Sequence, residues 1–152
     1  MKNFYRSIRL IVICLVFCFL ATACNDSKTE SLNAFKNEVT SLVSRYDAYN
    51  STLAGLDPSS ETASVQLLST IDKMASDAAA LTRTRLPEEF ADLSPEIQAY
   101  AENMQRSAEA FHQAFESEAF DMSAYTEARS ALSDSSLHLQ NIIASIRSVS
   151  FK

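Results

Sequence analysis

Residues 125–149 read YTEARSALSDSSLHLQNIIASIRSV and carry the clearest helical pattern of the chain. Apolar and small residues recur there at steps of three and four: Tyr125, Ala128, Leu132, Ser135, Leu139, Ile142, Ile146 and Val149. This spacing places them on one face of an α-helix and excludes the two-residue alternation of a strand. The mean step of about 3.5 is the heptad of coiled coils and four-helix bundles. We therefore predict a helix that packs against other helices.

Three segments upstream show the same period. Their apolar positions are Leu32, Phe35, Val39, Leu42, Tyr46, Tyr49 and Leu53 in the first, Leu67, Ile71, Met74, Ala78 and Leu81 in the second, and Ile97, Ala101, Met104, Ala108, Phe111 and Phe115 in the third. The sequence thus predicts an all-α fold with helices near residues 28–54, 58–84, 95–118 and 122–150.

Residues that cap or break helices separate these segments. Asp57 is predicted to cap the second helix, with Pro58 at its first position. Ser94 precedes a proline and is predicted to cap the third helix, and Asp121 or Ser123 is predicted to cap the fourth. Similar helix lengths and short connections favour an up-down-up-down four-helix bundle.

Two other architectures fit the period less well. One is a three-helix packing with one helix detached, and the other is a coiled coil assembled between chains. A coiled coil needs a narrow apolar seam. The apolar stripe here is wider, because several positions are doubled: Leu42 with Val43, Leu67 with Leu68, and Ile142 with Ile143. A bundle within one chain is therefore preferred.

The N-terminus has the three parts of an export signal. Residues 2–9 carry Lys2, Arg6 and Arg9 and no acid, and residues 10–20 are wholly apolar. Small residues then lead to Cys24. This order is typical of a secretory signal, and the apolar run is shorter than the roughly 20 residues of a membrane span. An uncleaved N-terminal anchor is the alternative.

The segment Leu20-Ala21-Thr22-Ala23-Cys24 resembles the lipobox of bacterial lipoproteins, with Ala21 where that family prefers Leu. The resemblance implies cleavage between Ala23 and Cys24 and acylation of the Cys24 thiol. It divides the chain into a signal peptide (1–23), a lipidated N-terminus with a short tether (24–31) and the bundle domain (32–152).

Location and partners follow from the same resemblance. Two acyl chains anchor a protein stably, so we expect attachment through Cys24 to the outward side of a bacterial membrane. Asn25 lacks the carboxylate that resembles an inner-membrane retention signal, which favours the outer membrane if the cell is Gram-negative. The expected partners are that membrane and another envelope protein.

Composition excludes several classes of function. The formal net charge is −6, and it becomes −9 once Lys2, Arg6 and Arg9 leave with the signal, so no nucleic-acid partner is expected. Cys14 and Cys18 leave as well, and Cys24 carries the lipid. No thiol then remains for a disulfide, a zinc site or a nucleophile. Neither histidine has a readable triad, and we predict neither a catalytic site nor an enzyme.

Metal and cofactor sites are also not expected. Glu109 and His112 have the Glu-x-x-His spacing of di-iron bundles, but no second such pair exists. The architecture resembles the cytochrome b562 type of haem bundle, and His138 lies on the last helix. The first helix, however, has no methionine to serve as the other ligand. The prediction is no metal and no cofactor.

Two surfaces remain as candidates for an interaction. Acidic residues cluster where the third helix ends, at Glu116, Glu118 and Asp121. Apolar residues in the longest connection either cover the core or contact lipid or protein, at Leu86, Phe90 and Leu93. The sequence therefore predicts a non-catalytic protein-interaction module. The alternative is a small-ligand or haem carrier, because small residues on the apolar face mean either close packing or room for a ligand (Ala78, Ala101, Ala108, Ala128).

Overall fold

A computed structural model describes residues 2–57 and 59–148, with side chains from residue 28 onward. It contains four α-helices and a 3₁₀ helix, and no strand occurs in this part of the chain: α1 (Lys2–Ala54), α2 (Ala63–Leu81), the 3₁₀ helix (Glu88–Leu93), α3 (Ser94–Glu116) and α4 (Met122–Ser148). The predicted all-α class is confirmed, and the four helices are consistent with a bundle. The chain divides into two compact units, residues 1–34 and 35–152.

The second helix begins later than predicted. Asp57 was expected to cap it, but the Asp57 Oδ1 atom accepts hydrogen bonds from the Ser59 amide at 2.9 Å and the Ser59 hydroxyl at 2.6 Å. Aspartate readily bonds the backbone two residues on, which stabilises a turn instead of a helix start. The prediction for Asp57 is therefore wrong, and α2 begins at Ala63. The predicted place of Pro58 lies outside the described residues.

The third and fourth helices begin close to the predicted positions. Ser94 is the first residue of α3 and follows Leu93, the last residue of the 3₁₀ helix, so Ser94 is not the cap. Asp121 Oδ1 accepts from the amides of Ser123 at 2.8 Å and Ala124 at 3.0 Å. These amides have no partner within the helix, and the carboxylate satisfies both. Of the two predicted caps of α4, Asp121 and Ser123, the structure shows Asp121 in this role.

Helices α3 and α4 lie antiparallel and close together. Glu96 contacts His138, Ser107 contacts Ala128, and Phe111 contacts Tyr125, so position rises along α3 as it falls along α4. Both helices bury small residues, and two of them, Ser107 and Ser135, donate to backbone carbonyl oxygens of the other helix. These buried small residues include Ser107, Ala108, Ala114, Ala124, Ala128, Ala131 and Ser135. Their size lets the two backbones approach closely enough for side-chain-to-backbone hydrogen bonds between the helices.

Polar contacts join α1 to its neighbours at the edge of the core. Asp77 Oδ2 on α2 accepts from Arg45 Nε at 2.9 Å and from the Tyr49 hydroxyl at 3.0 Å. The hydroxyls of Tyr46 and Ser136 lie 2.9 Å apart and link α1 to α4. The core itself is apolar, and its largest fully buried side chains are Phe35, Leu42, Ile71, Met74, Tyr100, Met104 and Ile142.

No helix in the described part of the chain is both long enough and apolar enough to span a bilayer.

Candidate functional site at the turn between the third and fourth helices

The chain reverses between α3 and α4 within residues 117–121. Ser117 leaves the helix in an extended conformation (φ −70°, ψ 158°). The Asp121 amide then donates to the carbonyl oxygen of Ala114 at 3.1 Å, while the Asp121 carboxylate caps α4. The last turn of α3 and the first turn of α4 are thereby joined by a short, hydrogen-bonded connection.

Aromatic rings bridge this connection. The centroid of the Phe120 ring lies 5.2 Å from that of Phe115 and 5.5 Å from that of Tyr125. Phe115 and Tyr125 are 6.1 Å apart and meet edge to face, and Phe111 lies 5.8 Å from Tyr125. Tilted and edge-to-face pairs at these distances stabilise beyond the area they bury. Phe120 is therefore positioned by its neighbours even though it belongs to a loop.

Two large apolar side chains at this turn face solvent, one in the connection and one on the first residue of α4. Phe120 is 49% exposed and Met122 is 64% exposed. With the half-buried Tyr125 they form what we call the turn patch (Phe120, Met122, Tyr125). Scattered exposed apolar residues are ordinary on protein surfaces, but a contiguous group on a fixed turn is typical of an interaction site.

Two residues of the turn patch, Met122 and Tyr125, also line a shallow depression. Its volume is about 310 Å³, and five residues of α4 line it: Met122, Tyr125, Thr126, Arg129 and Ser130. The guanidinium carbon of Arg129 lies 6.0 Å from the centroid of the Tyr125 ring, at the outer limit of a cation–π contact. The depression has the size of a few side chains and is a surface feature of α4.

The three acidic residues predicted as a site have different environments. Glu116 Oε1 lies 2.9 Å from His112 Nδ1, and Asp121 caps α4. Glu118 is exposed and has no hydrogen bond or ion pair with any described residue, and the same is true of Glu127 in the first turns of α4. The structure therefore leaves Glu118 and Glu127 as the uncompensated acids near the turn patch.

His112 explains why an acid is tolerated at the C-terminal end of α3. Its Nε2 atom lies 3.0 Å from Asp72 Oδ1 on α2, so each ring nitrogen faces a carboxylate. Hydrogen bonds to Glu116 and Asp72 raise the pKa of the imidazole, because both favour its charged form. A cation here also interacts favourably with the C-terminal end of the helix dipole.

The apolar residues of the longest connection lie elsewhere and pack differently. Phe90 is 2% exposed, and its ring centroid lies 5.3 Å from that of Phe35 on α1. Leu86 and Leu93 are half-buried. This geometry favours the interpretation that the connection covers the core, and it leaves the Phe90 side chain inaccessible to a partner in this conformation.

The histidines and nearby acids have partners other than a metal. Glu109 Oε1 accepts from Gln105 instead of meeting His112. His138 Nδ1 lies 2.9 Å from Glu96 Oε1, and Asn141 Nδ2 donates to the same oxygen at 2.6 Å. The hydrogen bonds from Asn141 and His138 lower the pKa of the Glu96 carboxyl. Among residues 28–57 and 59–148, no three His, Cys, Asp or Glu side chains are arranged to hold a metal ion.

Sequence reasoning missed Phe120 and Met122 as surface candidates, because it placed Phe120 between the third and fourth helices and Met122 at the start of the fourth. The available signal was their size, since two large apolar side chains stand in a stretch that is otherwise small or polar. The predicted cleavage and lipidation at Ala23 and Cys24 lie outside the described side chains and stay predictions.

Comparison of the chain with protein-family models, with curated proteins and with solved structures gives no match. Its function is therefore inferred from its own residues.

Proposed function

We propose that this chain is a lipoprotein anchored through Cys24 to the outward side of a bacterial membrane, and that its helical domain binds another envelope protein without catalysing a reaction. The observation that carries the binding role is the exposure of Phe120 and Met122 at a turn fixed by hydrogen bonds and by edge-to-face and tilted ring contacts. The order of charged, apolar and small residues before Cys24 supports the anchor.

The proposed architecture is an up-down-up-down bundle that follows a cleaved signal peptide. The antiparallel pairing of α3 with α4 supports it, as do the short connections and the contacts that join α2 to α3 and α1 to α4. In such a bundle the turn between α3 and α4 lies at one end of the domain, where another protein can reach it.

Energetics favour the turn patch as a contact region. Full burial of a Phe or Met side chain contributes about 1.5–3 kcal/mol relative to leaving it exposed. A few well-packed anchors of this kind supply most of the binding energy in a protein interface. Phe120 also loses little conformational freedom on binding, because Phe115 and Tyr125 already position its ring.

The carrier alternative has less support. Three of the four small residues that could have left room for a ligand are buried (Ala78, Ala108, Ala128), and the Ser107 hydroxyl donates directly to the Ala128 carbonyl oxygen between α3 and α4. Native mass spectrometry and an absorbance spectrum of the purified protein test this alternative. A bound small molecule or a haem band would favour it over the binding role proposed here.

Photo-crosslinking in the producing cells tests the binding role. Phe120 or Met122 is replaced in the full chain by the photo-reactive amino acid p-benzoylphenylalanine, and Leu137 serves as the control position because it is 57% exposed on the same helix. We expect a discrete protein adduct from positions 120 and 122 and none from 137. Equal adducts from all three positions, or none from the turn, would contradict the role.

A substitution at the proposed lipid site tests the anchor. Cys24→Ser removes the thiol that would be acylated, so we expect loss of acylation and release of the chain from the membrane fraction. Unchanged membrane fractionation would contradict lipidation at this residue.

A further inference from the structure

We infer that the turn patch binds a basic segment of a partner protein, with an apolar side chain of that segment packed against Phe120 and Met122. This inference rests on the proposed binding role and adds the chemistry of the partner.

The apolar part of the surface is both exposed and shaped. One side of the Phe120 ring packs on Phe115 and Tyr125, which leaves about half of its surface to solvent. Met122 is more exposed, and its flexible thioether side chain adapts to the shape of what it contacts. The depression next to them accommodates a side chain, and Arg129 and Ser130 in its wall are donors for carbonyl oxygens of a bound segment.

The charge around the patch has a single sign through the turn. Between residues 116 and 127 the chain has four acids and no Lys or Arg: Glu116, Glu118, Asp121 and Glu127. Glu116 is offset by His112, whereas Glu118 and Glu127 have no ion-pair partner among the described residues. The next cation along the chain is Arg129, which lies over the Tyr125 ring. Complementary charge steers encounter and rejects partners of the same sign.

The acids around the turn patch disfavour two other occupants, a second copy of this chain and an anionic membrane. Two copies of this chain joined symmetrically would bring identical patches together, and Glu118 and Glu127 of one copy would face the same acids of the other. A membrane surface rich in anionic lipids is repelled for the same reason. A partner segment with an apolar side chain flanked by Lys or Arg can pack against the rings of Phe120 and Tyr125 and form ion pairs with Glu118 or Glu127.

The test combines crosslinking at position 120 with charge reversal in the full chain. One variant carries Glu118→Lys with Glu127→Lys. The matched control carries Glu102→Lys with Glu109→Lys, which makes the same change in net charge at exposed positions of α3. Among the described residues, these two carboxylates accept hydrogen bonds from Gln98 and Gln105 and form no ion pair. Circular dichroism confirms that both double variants remain folded.

We expect the adduct at position 120 to map to a partner segment with an excess of Lys and Arg. Reversal at 118 and 127 should lower the adduct yield about fivefold or more, while the control stays within about twofold of the parent. If the adduct maps to a neutral or acidic segment of a protein, the inference that the partner segment is basic is wrong. The same follows if charge reversal at 118 and 127 leaves the adduct yield unchanged. Neither result contradicts the proposed binding role. An adduct to a second copy or to lipid likewise overturns the inference of a basic partner. No adduct from position 120 or 122 rejects both the inference and the role.

Discussion

The hydroxyl of Ser107 on α3 donates to the carbonyl oxygen of Ala128 on α4 at 2.9 Å, and both residues are fully buried. A hydrogen bond from a side chain as short as serine brings the two backbones close together. At this level of the helices, the small residues Ser107 and Ala128 therefore serve close packing.

Enlarging Ser107 should destabilise the domain. Ser107→Leu forces extra volume between two closely packed backbones and should lower the free energy of unfolding by about 1–3 kcal/mol. Ser107→Ala removes only the hydrogen bond and should lower it by about 1 kcal/mol. Urea unfolding followed by circular dichroism measures both. Ser133→Leu, at an exposed position of α4, is the matched control and should change the free energy of unfolding little. A loss as large as that of Ser107→Leu would contradict the close packing of α3 against α4 at Ser107.

Tyr100→Phe should stabilise the domain or leave it unchanged. The Tyr100 side chain is fully buried on α3, and its hydroxyl has no hydrogen-bond partner among the described residues. Burial raises the pKa of this phenol well above its ordinary value. Removing an unpaired buried hydroxyl relieves a desolvation penalty of about 1–3 kcal/mol.

Tyr46→Phe is the control for that substitution. The Tyr46 hydroxyl is also largely buried but lies 2.9 Å from the Ser136 hydroxyl, so its removal should destabilise by about 1 kcal/mol. Thermal and urea unfolding measure both variants. Destabilisation by Tyr100→Phe equal to that of Tyr46→Phe would show that the Tyr100 hydroxyl is satisfied in the folded protein.

Asp121→Ala should destabilise more than Asp57→Ala. Asp121 caps α4 through two backbone amides, and loss of such a cap costs about 0.5–2 kcal/mol. Asp57 bonds only within a turn, to Ser59. Its replacement should have an effect within about 0.5 kcal/mol, as for most surface substitutions. Equal losses in urea unfolding would indicate that Asp57 acts as a helix cap after all.

His112 should make stability depend on pH. Its pKa is raised in the folded state, so its contribution is complete below the ordinary histidine pKa of about 6.5 and disappears as pH rises through the folded value. His112→Gln should therefore lower stability more at about pH 6 than at about pH 8.5. Because the ring and both carboxylates are partly or largely exposed, the difference should be at most about 1 kcal/mol.

Asp72→Asn provides the check on this mechanism. It removes the carboxylate on α2 that faces His112 Nε2, so the pH dependence of unfolding should weaken in that variant and in His112→Gln alike. If neither substitution changes the pH dependence of the free energy of unfolding, the ion pair between Asp72 on α2 and His112 on α3 does not contribute to stability.

Phe90→Ala should destabilise by about 3–5 kcal/mol, because the ring is buried against Phe35. Leu137→Ala removes an exposed side chain and should have little effect. A small loss for Phe90→Ala would reopen the interpretation of residues 86–93 as an interaction surface.

Local sequence determined the secondary structure of this protein. The apolar period of three and four residues is a property of each helix alone, and so it predicted four helices, with α3 and α4 close to their predicted positions. Helices α1 and α2 begin at Lys2 and Ala63 instead of near residues 28 and 58. Asp121 was predictable as a cap because its acceptor and the amides it satisfies lie within three residues of each other. The export and lipidation signals before residue 25 are likewise local patterns, and they remain predictions.

Tertiary structure decided which surfaces are covered. Phe90 and Phe120 are both aromatic residues in connections, but one is buried on Phe35 and the other is half exposed beside Tyr125. Their surroundings come from helices far away along the chain, which no local pattern specifies. For the same reason, only the packed helices show that Ser107 meets Ala128, that His112 lies between Asp72 and Glu116, and that Tyr100 buries its hydroxyl unpaired.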